Sequence, residues 1–374
     1  MKIPRFYNIH DILEPGKALI IYGPRQVGKT TLLMDFLKGC GEKYRYESGD
    51  NLKVQSIFGS RDLDLLKEYT SGYDIVAVDE SHKIPHIGES LKIIVDHIPG
   101  LKVIVTGSSS FELAGQVGEP LIGRKKTLTL FPVAQLELRK IFNKVEVRDR
   151  IGETLVFGGY PEVITSDSKK EKAEILDDLV HSYLLKDILE FERIKGAKTL
   201  LDILRLLAFQ IGKEVSLNEI AVQIGIDNKT VAKYIDLFEK SFIIFNLRGY
   251  SRNLRKEVTK KGKYYFYDTG IRNAVISNFN DLELRDDKGG LWENFLFIER
   301  LKKRVYHEIF ANMYFWRTYN QKEIDLLEER EGRLFGYEFK WGEKTPKIPE
   351  EFLSAYPEGS VDVIDQQNYL DFVA

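Results

Sequence analysis

Residues 23–30 form a glycine-rich loop of the pattern GxxxxGK[ST], and this loop constrains the fold more than any other part of the sequence. The apolar run at 18–22 predicts a buried strand before the loop, and the spacing of apolar residues predicts a helix over 31–37. A loop between a strand and a helix binds phosphate, because the loop N–H groups and the helix N-terminus attract an anion. The sequence therefore predicts a nucleoside-triphosphate site rather than a chance turn.

The fixed positions of the loop each have a physical task. Gly23 and Gly28 let the backbone turn its N–H groups toward the phosphates. Lys29 reaches the β- and γ-phosphates, and the Thr30 hydroxyl is a ligand for magnesium.

An acid pair, Asp79 and Glu80, ends the apolar strand predicted over 74–78. An acid at that point lies at the carboxyl edge of a parallel sheet, where the nucleotide also binds. We expect Asp79 to hold magnesium through its water shell and Glu80 to act as general base toward water. The alternative is a carboxylate that only caps a helix. Residues 228–230 lack the Asp of a guanine-reading NKxD motif, so ATP is favoured over GTP.

Two further features are candidates for sensing the γ-phosphate. Thr106, Ser108 and Ser109 follow the next strand, between the two phosphate motifs, although serines here are equally typical of a simple turn. Arg124 is a candidate arginine finger, acting in its own chain or toward a neighbouring subunit. The alternative for Arg124 is a solvated basic turn.

Length and composition limit the class of protein. A chain of 374 residues is long for one core, which predicts two or three domains. A net charge of −2 gives no overall attraction to nucleic acid or membrane, so any basic site is local. A single cysteine, Cys40, excludes a disulfide framework. No signal peptide and no apolar stretch of roughly 18–20 residues is found, so we expect no membrane span and a cytoplasmic location.

The first 130 residues alternate strands with helices, which predicts a parallel sheet. Residues from about 134 to 195 show mainly helical spacing of apolar residues. From residue 198 the predicted elements change again. Helices predicted over 199–210, 216–224 and 228–241, with strands over 242–247 and 263–267, indicate a winged helix. Between these strands, residues 248–263 hold seven Lys/Arg against one acid. This segment is a candidate wing for DNA phosphates, with a protein-docking module as the alternative.

The last segment carries a second group of acids. A hairpin about 331–332 places Asp325 opposite Glu338, and Lys340 lies on the same face of its strand as Glu338. Glu293, on a predicted helix, is a further candidate. Such a group can bind a divalent metal and orient water against a phosphodiester. An ordinary amphipathic hairpin with exposed charges is the alternative.

The ordered motifs resemble those of the predicted archaeal and bacterial AAA+-superfamily ATPases whose C-terminal half is a domain of unknown function with a restriction-endonuclease-like, PD-(D/E)xK, element. The resemblance covers nearly the whole chain. The matching segments are GPRQVGKTTLL at 23–33, AVDE at 77–80, VTGSSS at 105–110, FGGYPEV at 157–163, LWENF at 291–295, FWRT at 315–318, EIDLL at 323–327 and YEFK at 337–340.

This resemblance implies a fold and a set of roles. It implies an α/β chain with a P-loop NTPase core at 1–135, a helical lid at 136–196, a winged helix at 197–275 and a nuclease-like domain at 276–374. Asp79 and Glu80 are implied in magnesium binding and hydrolysis, and the sensor falls near Ser108. Asp325 and Glu338, with Lys340, are implied as nuclease-type residues. The residues implied in ATP binding are Gly23, Pro24, Arg25, Gln26, Val27, Gly28, Lys29, Thr30 and Thr31.

One departure from the family pattern is clear. Such proteins commonly continue the acid pair with an apolar residue and a glutamine, whereas Ser81 and His82 follow here. The acids are intact, but the chain has no glutamine at this position.

Three hypotheses remain open at this point. The chain is an ATP-driven switch with ATP and Mg²⁺ as cofactors, reporting its state to double-stranded DNA or to a protein partner. It is an ATP-regulated, metal-dependent nuclease, or it is a non-catalytic binder stabilised by nucleotide. Oligomer formation is compatible with each of them.

Overall fold

The computed structural model describes residues 1–107, 120–184, 196–251, 261–318, 320, 322–342 and 349–374. The chain forms two compact units. The first comprises Arg5–Phe131 with Lys240–Phe242, and the second comprises Met1–Pro4, Pro132–Glu239 and Ile243–Ala374. The four domain ranges proposed from the sequence stay a prediction.

The first unit is built on a parallel sheet with strand order β2-β3-β4-β1-β5. Its strands are β1 (Ala18–Tyr22), β2 (Tyr44–Ser48), β3 (Ile75–Asp79), β4 (Lys102–Gly107) and β5 (Lys125–Thr129). Its helices are α1 (Lys29–Gly39), α2 (Leu52–Gly59), α3 (Leu63–Thr70) and α4 (Ile87–His97). The prediction of an α/β chain with a parallel sheet is confirmed.

The core of this sheet explains its continuous apolar strands. Val76 and Val78 on β3 and Val103 and Val105 on β4 are completely buried, and they pack in one cluster with Leu91 of α4. Strands covered on both faces gain about 25 cal/mol for each Å² of apolar surface removed from water. The apolar core holds the strand ends in place, and those ends carry the loop and the acid pair.

The second unit begins with helices that surround the FGGYPEV turn and continues with three more. The helices are α5 (Gln135–Leu138), α6 (Lys144–Asp149), α7 (Ile151–Phe157), α8 (Pro161–Thr165), α9 (Lys169–Asp178), α10 (Ala197–Phe209), α11 (Leu217–Ile224) and α12 (Asn228–Lys240). Further α-helices in the described ranges are α13 (Thr269–Val275), α14 (Lys288–Tyr306), α15 (Glu350–Ala355) and α16 (Tyr369–Val373).

One sheet runs through most of this unit, in the strand order β12-β11-β10-β9-β7-β8-β6. Its strands are β6 (Glu214–Val215), β7 (Ile244–Gly249), β8 (Gly262–Phe266), β9 (Asn312–Arg317), β10 (Glu323–Arg330), β11 (Arg333–Phe339) and β12 (Ser360–Ile364). The parallel pairing of β7 with β9 joins the strands of the predicted winged helix to those of the predicted nuclease-like domain.

This continuous sheet bears on the predicted boundaries at 196/197 and 275/276. Neither position separates compact units in the structure. Pairing β7 with β9 satisfies backbone groups that would otherwise form an exposed edge, which is a physical reason for the two segments to fold together.

No helix in the part of the chain that the structure describes is long and apolar enough to cross a membrane. The cytoplasmic location stays a prediction.

Candidate functional site

The glycine-rich loop connects β1 to α1 and has the backbone conformation that its sequence requires. Gly23 has φ of 151°, and a Cβ atom there would lie 1.9 Å from the carbonyl oxygen of Leu130. Gly28, at the N-terminus of α1, has φ of 93°. A side chain at Gly23 is therefore excluded, because the neighbouring backbone occupies its place.

Lys29 is buried, with 6% of its surface exposed. Its ammonium donates hydrogen bonds to the carbonyl oxygens of Gly23, at 3.0 Å, and of Pro24, at 2.6 Å. These partners are backbone carbonyls of the loop, so the ammonium lies within the loop. This is the position from which a lysine can bind the phosphates of a nucleotide.

The predicted magnesium residues are brought together at the end of β3. Thr30 Oγ1 donates to Asp79 Oδ2 at 2.7 Å, and the Tyr46 hydroxyl donates to the same oxygen at 3.1 Å. Thr106 Oγ1 donates to the other oxygen, Oδ1. Hydroxyl groups thus orient both oxygens of a carboxylate that is 5% exposed. A hydroxyl beside a carboxylate is a donor set that suits Mg²⁺.

Glu80 lies next to this pair in a left-handed conformation, with φ of 49°. Burial raises the pKa of its carboxyl group. Its Oε2 atom is buried and makes no hydrogen bond with any described residue, although Nδ1 of His82 lies 3.3 Å away. Burial lowers the pKa of His82 to about 4, so this imidazole is neutral at pH 7. A buried carboxylate oxygen without a hydrogen bond and a strained backbone are both features of catalytic sites.

The other predicted residues of this site have different outcomes. Thr106, one of the sensor candidates, contacts Asp79 and also accepts a hydrogen bond from the Glu80 N–H at 3.2 Å. Ser108 and Ser109 lie outside the described residues, so their sensor role stays a prediction.

The prediction that Arg124 acts as an arginine finger within its own chain is corrected by its position in the structure. Its carbonyl oxygen accepts from the N–H of Ala18, the first residue of β1, whereas the loop follows the last. At roughly 3.3 Å per residue, the two ends of this strand lie about 13 Å apart. Arg124 Nε lies 2.5 Å from Asp96 Oδ1, so its guanidinium is paired at the far end of the sheet. Action toward a neighbouring subunit stays a prediction.

Two contributors to this site were missed in the sequence. Arg5 donates to the carbonyl oxygens of Val27, within the loop, and of Phe131, at 2.6 Å. Tyr46 contacts Asp79 from the neighbouring strand β2. Neither residue belongs to a motif. The alternation of β2 is compatible with Tyr46 facing this edge, but no sequence signal points to Arg5.

The predicted hairpin near the C-terminus is confirmed. β10 and β11 pair with Leu326 opposite Tyr337, and Glu331 and Gly332 form the turn with φ of 50° and 77°. Positive φ at both turn positions is typical of a type I′ turn. Extending the register by one residue places Asp325 beside Glu338, as the sequence predicted.

Around this hairpin, charged side chains form what we call the acid cluster: Glu293, Glu323, Asp325 and Glu338, with Lys263 and Lys340. Lys263 was predicted to lie in a basic wing, but it is 1% exposed and contacts three of the acids. Lys340 Nζ lies 3.0 Å from Glu338 Oε2, as their spacing predicted. Burial raises the pKa of Glu293 and that of Glu338 to about 7.

The acid cluster does not have the geometry of a metal site. No group of three or more His, Cys, Asp or Glu side chains within the described ranges is arranged to hold a metal ion. The structure thus brings the predicted residues Asp325, Glu338, Lys340 and Glu293 together. The three acids form ion pairs with Lys263 or with Lys340. Metal binding by them stays a prediction that this arrangement does not favour.

Comparison with protein families divides the chain into three matched segments. Residues 15–139 match an AAA domain, residues 148–282 a domain of unknown function (DUF8612) and residues 288–369 a domain of unknown function (DUF4143). The first match contains the loop and the acid pair whose geometry is given above. The match over residues 15–139 supports an ATPase domain of the AAA type in this segment, which we call the AAA domain. The other two matches assign no activity.

Relatives of similar organisation are found in bacteria and archaea. Uncharacterized protein Rv2008c of Mycobacterium tuberculosis is 27% identical over 346 residues, which are 92% of this chain and 74% of that protein. Uncharacterized protein MJ1544 of Methanocaldococcus jannaschii is 25% identical over an alignment of 334 positions that covers 84% of this chain and 73% of that protein. Each of these alignments extends well beyond the segment that matches the AAA domain.

Solved structures show only distant similarity. Replication initiator DnaA bound to AMPPCP and single-stranded DNA is 15% identical, with a TM-score of 0.28 over 62% of this chain and 85% of that one. A STAND signal transduction ATPase, PH0952 from Pyrococcus horikoshii, is 12% identical, with a TM-score of 0.27 over 77% of this chain and 44% of that one. Similarity at this level supports no conclusion about the partners of this chain.

Proposed function

We propose that this chain is an Mg²⁺-dependent ATPase that works as a nucleotide switch and whose second unit binds double-stranded DNA. The observation that carries the ATPase is the 2.7 Å hydrogen bond between Thr30 and Asp79, beside Lys29 in its loop. A threonine hydroxyl, a carboxylate and a lysine are the groups that magnesium and the phosphates of ATP require. Bound Mg²⁺ would neutralise charge on the β- and γ-phosphates.

The remaining steps fall to side chains of the AAA domain. Lys29 binds the phosphates through its ammonium, and Thr30 and Asp79 hold the metal. Glu80 accepts a proton from the attacking water, because its Oε2 atom has no hydrogen bond to a described residue. His82 lies 3.3 Å from this carboxylate and is neutral at pH 7, so the carboxylate keeps its charge for the proton transfer.

The ATPase is tested by phosphate release from the purified chain. We expect turnover that requires Mg²⁺, and a loss of at least about 100-fold in Lys29→Ala. Lys38→Ala is the matched control, because Lys38 is an exposed lysine on the same helix. Normal turnover in Lys29→Ala would refute the site. ATP binding without turnover in the unaltered chain would favour the non-catalytic alternative.

DNA binding by the second unit is supported by the order of its elements. Helices α10, α11 and α12 are followed by β7 and β8, which is the order of a winged helix. Lys229 and Lys233 are exposed on α12, and Arg248 is exposed on β7. Of the basic residues predicted for the wing, those at 252–260 lie outside the described residues, and buried Lys263 is withdrawn from this role.

The DNA proposal is tested by the salt dependence of binding to a DNA duplex, measured with ADP and with a non-hydrolysable ATP analogue. Each lysine that contacts a phosphate contributes nearly one unit to the slope of log K against log salt. We therefore expect Lys229→Ala/Lys233→Ala to lower the slope by about two. Lys169→Ala/Lys170→Ala, on α9, is the control. Equal slopes in both variants would refute contact through α12, and equal affinity with both nucleotides would refute the switch.

A further inference from the structure

Lys263 occupies the centre of the acid cluster. Its Nζ atom lies 2.9 Å from Oε1 of Glu293 on α14, contacts Oε1 of Glu323 and lies 3.9 Å from Oδ1 of Asp325, both on β10. Only 1% of the side chain is exposed. Three carboxylates from two elements thus converge on one cation, and this cation belongs to the chain.

The fold holds Lys263 in this position through the strand that carries it. The side-chain amide of Asn294 accepts from the N–H of Phe266 at 2.7 Å and donates to its carbonyl oxygen at 2.9 Å. The hydroxyl of Tyr265 donates to Oε1 of Glu293 at 2.6 Å. These side-chain bonds attach β8 to α14 through the LWENF segment, and they hold the strand that carries Lys263 in place.

The distances explain why a metal does not fit beside this ammonium. A divalent ion such as Mg²⁺ binds carboxylate oxygens at about 2.0–2.1 Å, which brings the ligands to within about 3 Å of one another. An ammonium keeps its acceptors at about 2.8 Å, so the carboxylates stand further apart. In addition, Mg²⁺ and the Lys263 ammonium would repel each other in a buried site.

A separate observation concerns Glu338, which lies next to Asp325 in the cluster. Glu338, on β11 beside Asp325, is 6% exposed, and its Oε1 atom has no hydrogen-bond partner among the described residues. Its other oxygen is 3.0 Å from Lys340 Nζ. A buried carboxylate oxygen without a partner is costly, so Glu338 offers an additional acceptor to a cation that replaces Lys263.

We infer that Lys263 takes the place of a divalent cation among Glu293, Glu323 and Asp325. The acid cluster of this chain is then a metal-free ion-pair centre, and removing Lys263 turns it into a metal site. This inference concerns the second unit and does not depend on ATP hydrolysis. If the inference holds, the hypothesis of metal-dependent phosphodiester cleavage at this cluster is wrong. No metal would then be available there to activate water or to stabilise a leaving oxygen.

The test measures Mn²⁺ binding by electron paramagnetic resonance, on the full chain without nucleotide. All variants carry Asp79→Asn, which removes the acid proposed to hold metal in the AAA domain. With Lys263 present, we expect no bound Mn²⁺ that depends on Asp325. With Lys263→Ala, we expect one bound Mn²⁺ per chain, lost again when Asp325→Asn is added.

A matched control distinguishes this effect from the general loss of a buried lysine. Lys302 is 3% exposed and lies 2.7 Å from Glu299, in the same unit but away from the acid cluster. Lys302→Ala is expected to gain no Mn²⁺. A gain of the same size in both variants would overturn the inference, because it would show that Lys263 has no special place among the acids.

Two other results would also overturn the inference. One is Mn²⁺ that is bound with Lys263 present and released by Asp325→Asn. The other is a folded Lys263→Ala chain that gains no Mn²⁺. Folding is checked by tryptophan emission, since Trp292, Trp316 and Trp341 all lie in the second unit. If Lys263→Ala does not fold, Lys263→Gln removes the charge while keeping a donor, and the same two outcomes apply to it.

Discussion

Each unit of this protein buries a lysine beside acids, but the two lysines are held in opposite ways. Lys29 donates to the backbone carbonyls of Gly23 and Pro24, and Asp79 nearby is bonded to hydroxyl groups. Lys263 is surrounded by carboxylates, which raise its pKa against the effect of burial. These two bonds of Lys29 are to uncharged carbonyl oxygens, whereas the ion pairs of Lys263 are to carboxylates of the chain. We call the loop with Lys29 and its neighbouring acids the open site, and the acid cluster around Lys263 the closed site.

The largest expected effect is a change in the free energy of unfolding when each of the two lysines is replaced by methionine. Lys263→Met leaves three partly buried carboxylates without their cation, so we expect it to lower the free energy of unfolding of the second unit by about 3 kcal/mol. Lys29→Met removes hydrogen bonds to backbone carbonyls, and we expect the first unit to change by about 1 kcal/mol. Urea unfolding followed by tryptophan emission measures the second unit, and amide hydrogen exchange of β3 and β4 measures the first. Equal losses in the two units would remove the distinction between an open and a closed site.

The second prediction concerns pH and the open site. Burial depresses the pKa of His82 to about 4 from its ordinary 6.5. The neutral form is favoured in the folded state, so its stabilisation is complete above pH 6.5 and is lost as pH falls toward 4. The full loss is about 3 kcal/mol in the free energy of unfolding.

We expect His82→Gln to remove this dependence while keeping a polar side chain. Hydrogen exchange of β3 between pH 6.5 and 4 would measure the difference between the two chains. If both lose protection by the same amount, another group accounts for the acid sensitivity of this unit.

A smaller effect is expected from Thr106→Val, which keeps the shape of the side chain but removes the donor to Asp79. Losing one hydrogen bond to a buried carboxylate costs about 1.5 kcal/mol, so we expect about a tenfold fall in kcat/KM for ATP. Thr70→Val is the control, because Thr70 is a buried threonine in the same unit that bonds to a backbone carbonyl of α3. Equal falls in both variants would indicate a loss of folding rather than of acid orientation.

The smallest effect is expected for Arg124→Ala. Because Arg124 is paired with Asp96 at the far end of β1, ATP turnover in dilute protein should change by less than about twofold. Turnover measured over a range of protein concentrations checks this. A large fall that appears only at high concentration would instead support an arginine finger toward a neighbouring subunit, and would add a second cation to the open site.

The local patterns predicted much of this protein. The GxxxxGK[ST] loop places Lys29 and Thr30 by sequence distance alone, because strand, turn and helix are all short-range structures. The hairpin register that sets Asp325 beside Glu338 also follows from a two-residue turn at Glu331 and Gly332. These predictions rest on geometry that spans few residues, and the chain has little freedom to alter it.

Contacts across long sequence distances could not be predicted in the same way. Lys263 was assigned to a basic wing by the charge of its neighbours, yet it lies 62 residues before Asp325 in the sequence and contacts it in the fold. Arg5 and Arg124 show the same limit, since their roles depend on which end of β1 each one reaches. Charge and spacing identify which groups can bind a cation or an anion. Whether a site is left open or filled by the chain depends on strand order and packing, because these alone decide which distant side chain reaches it.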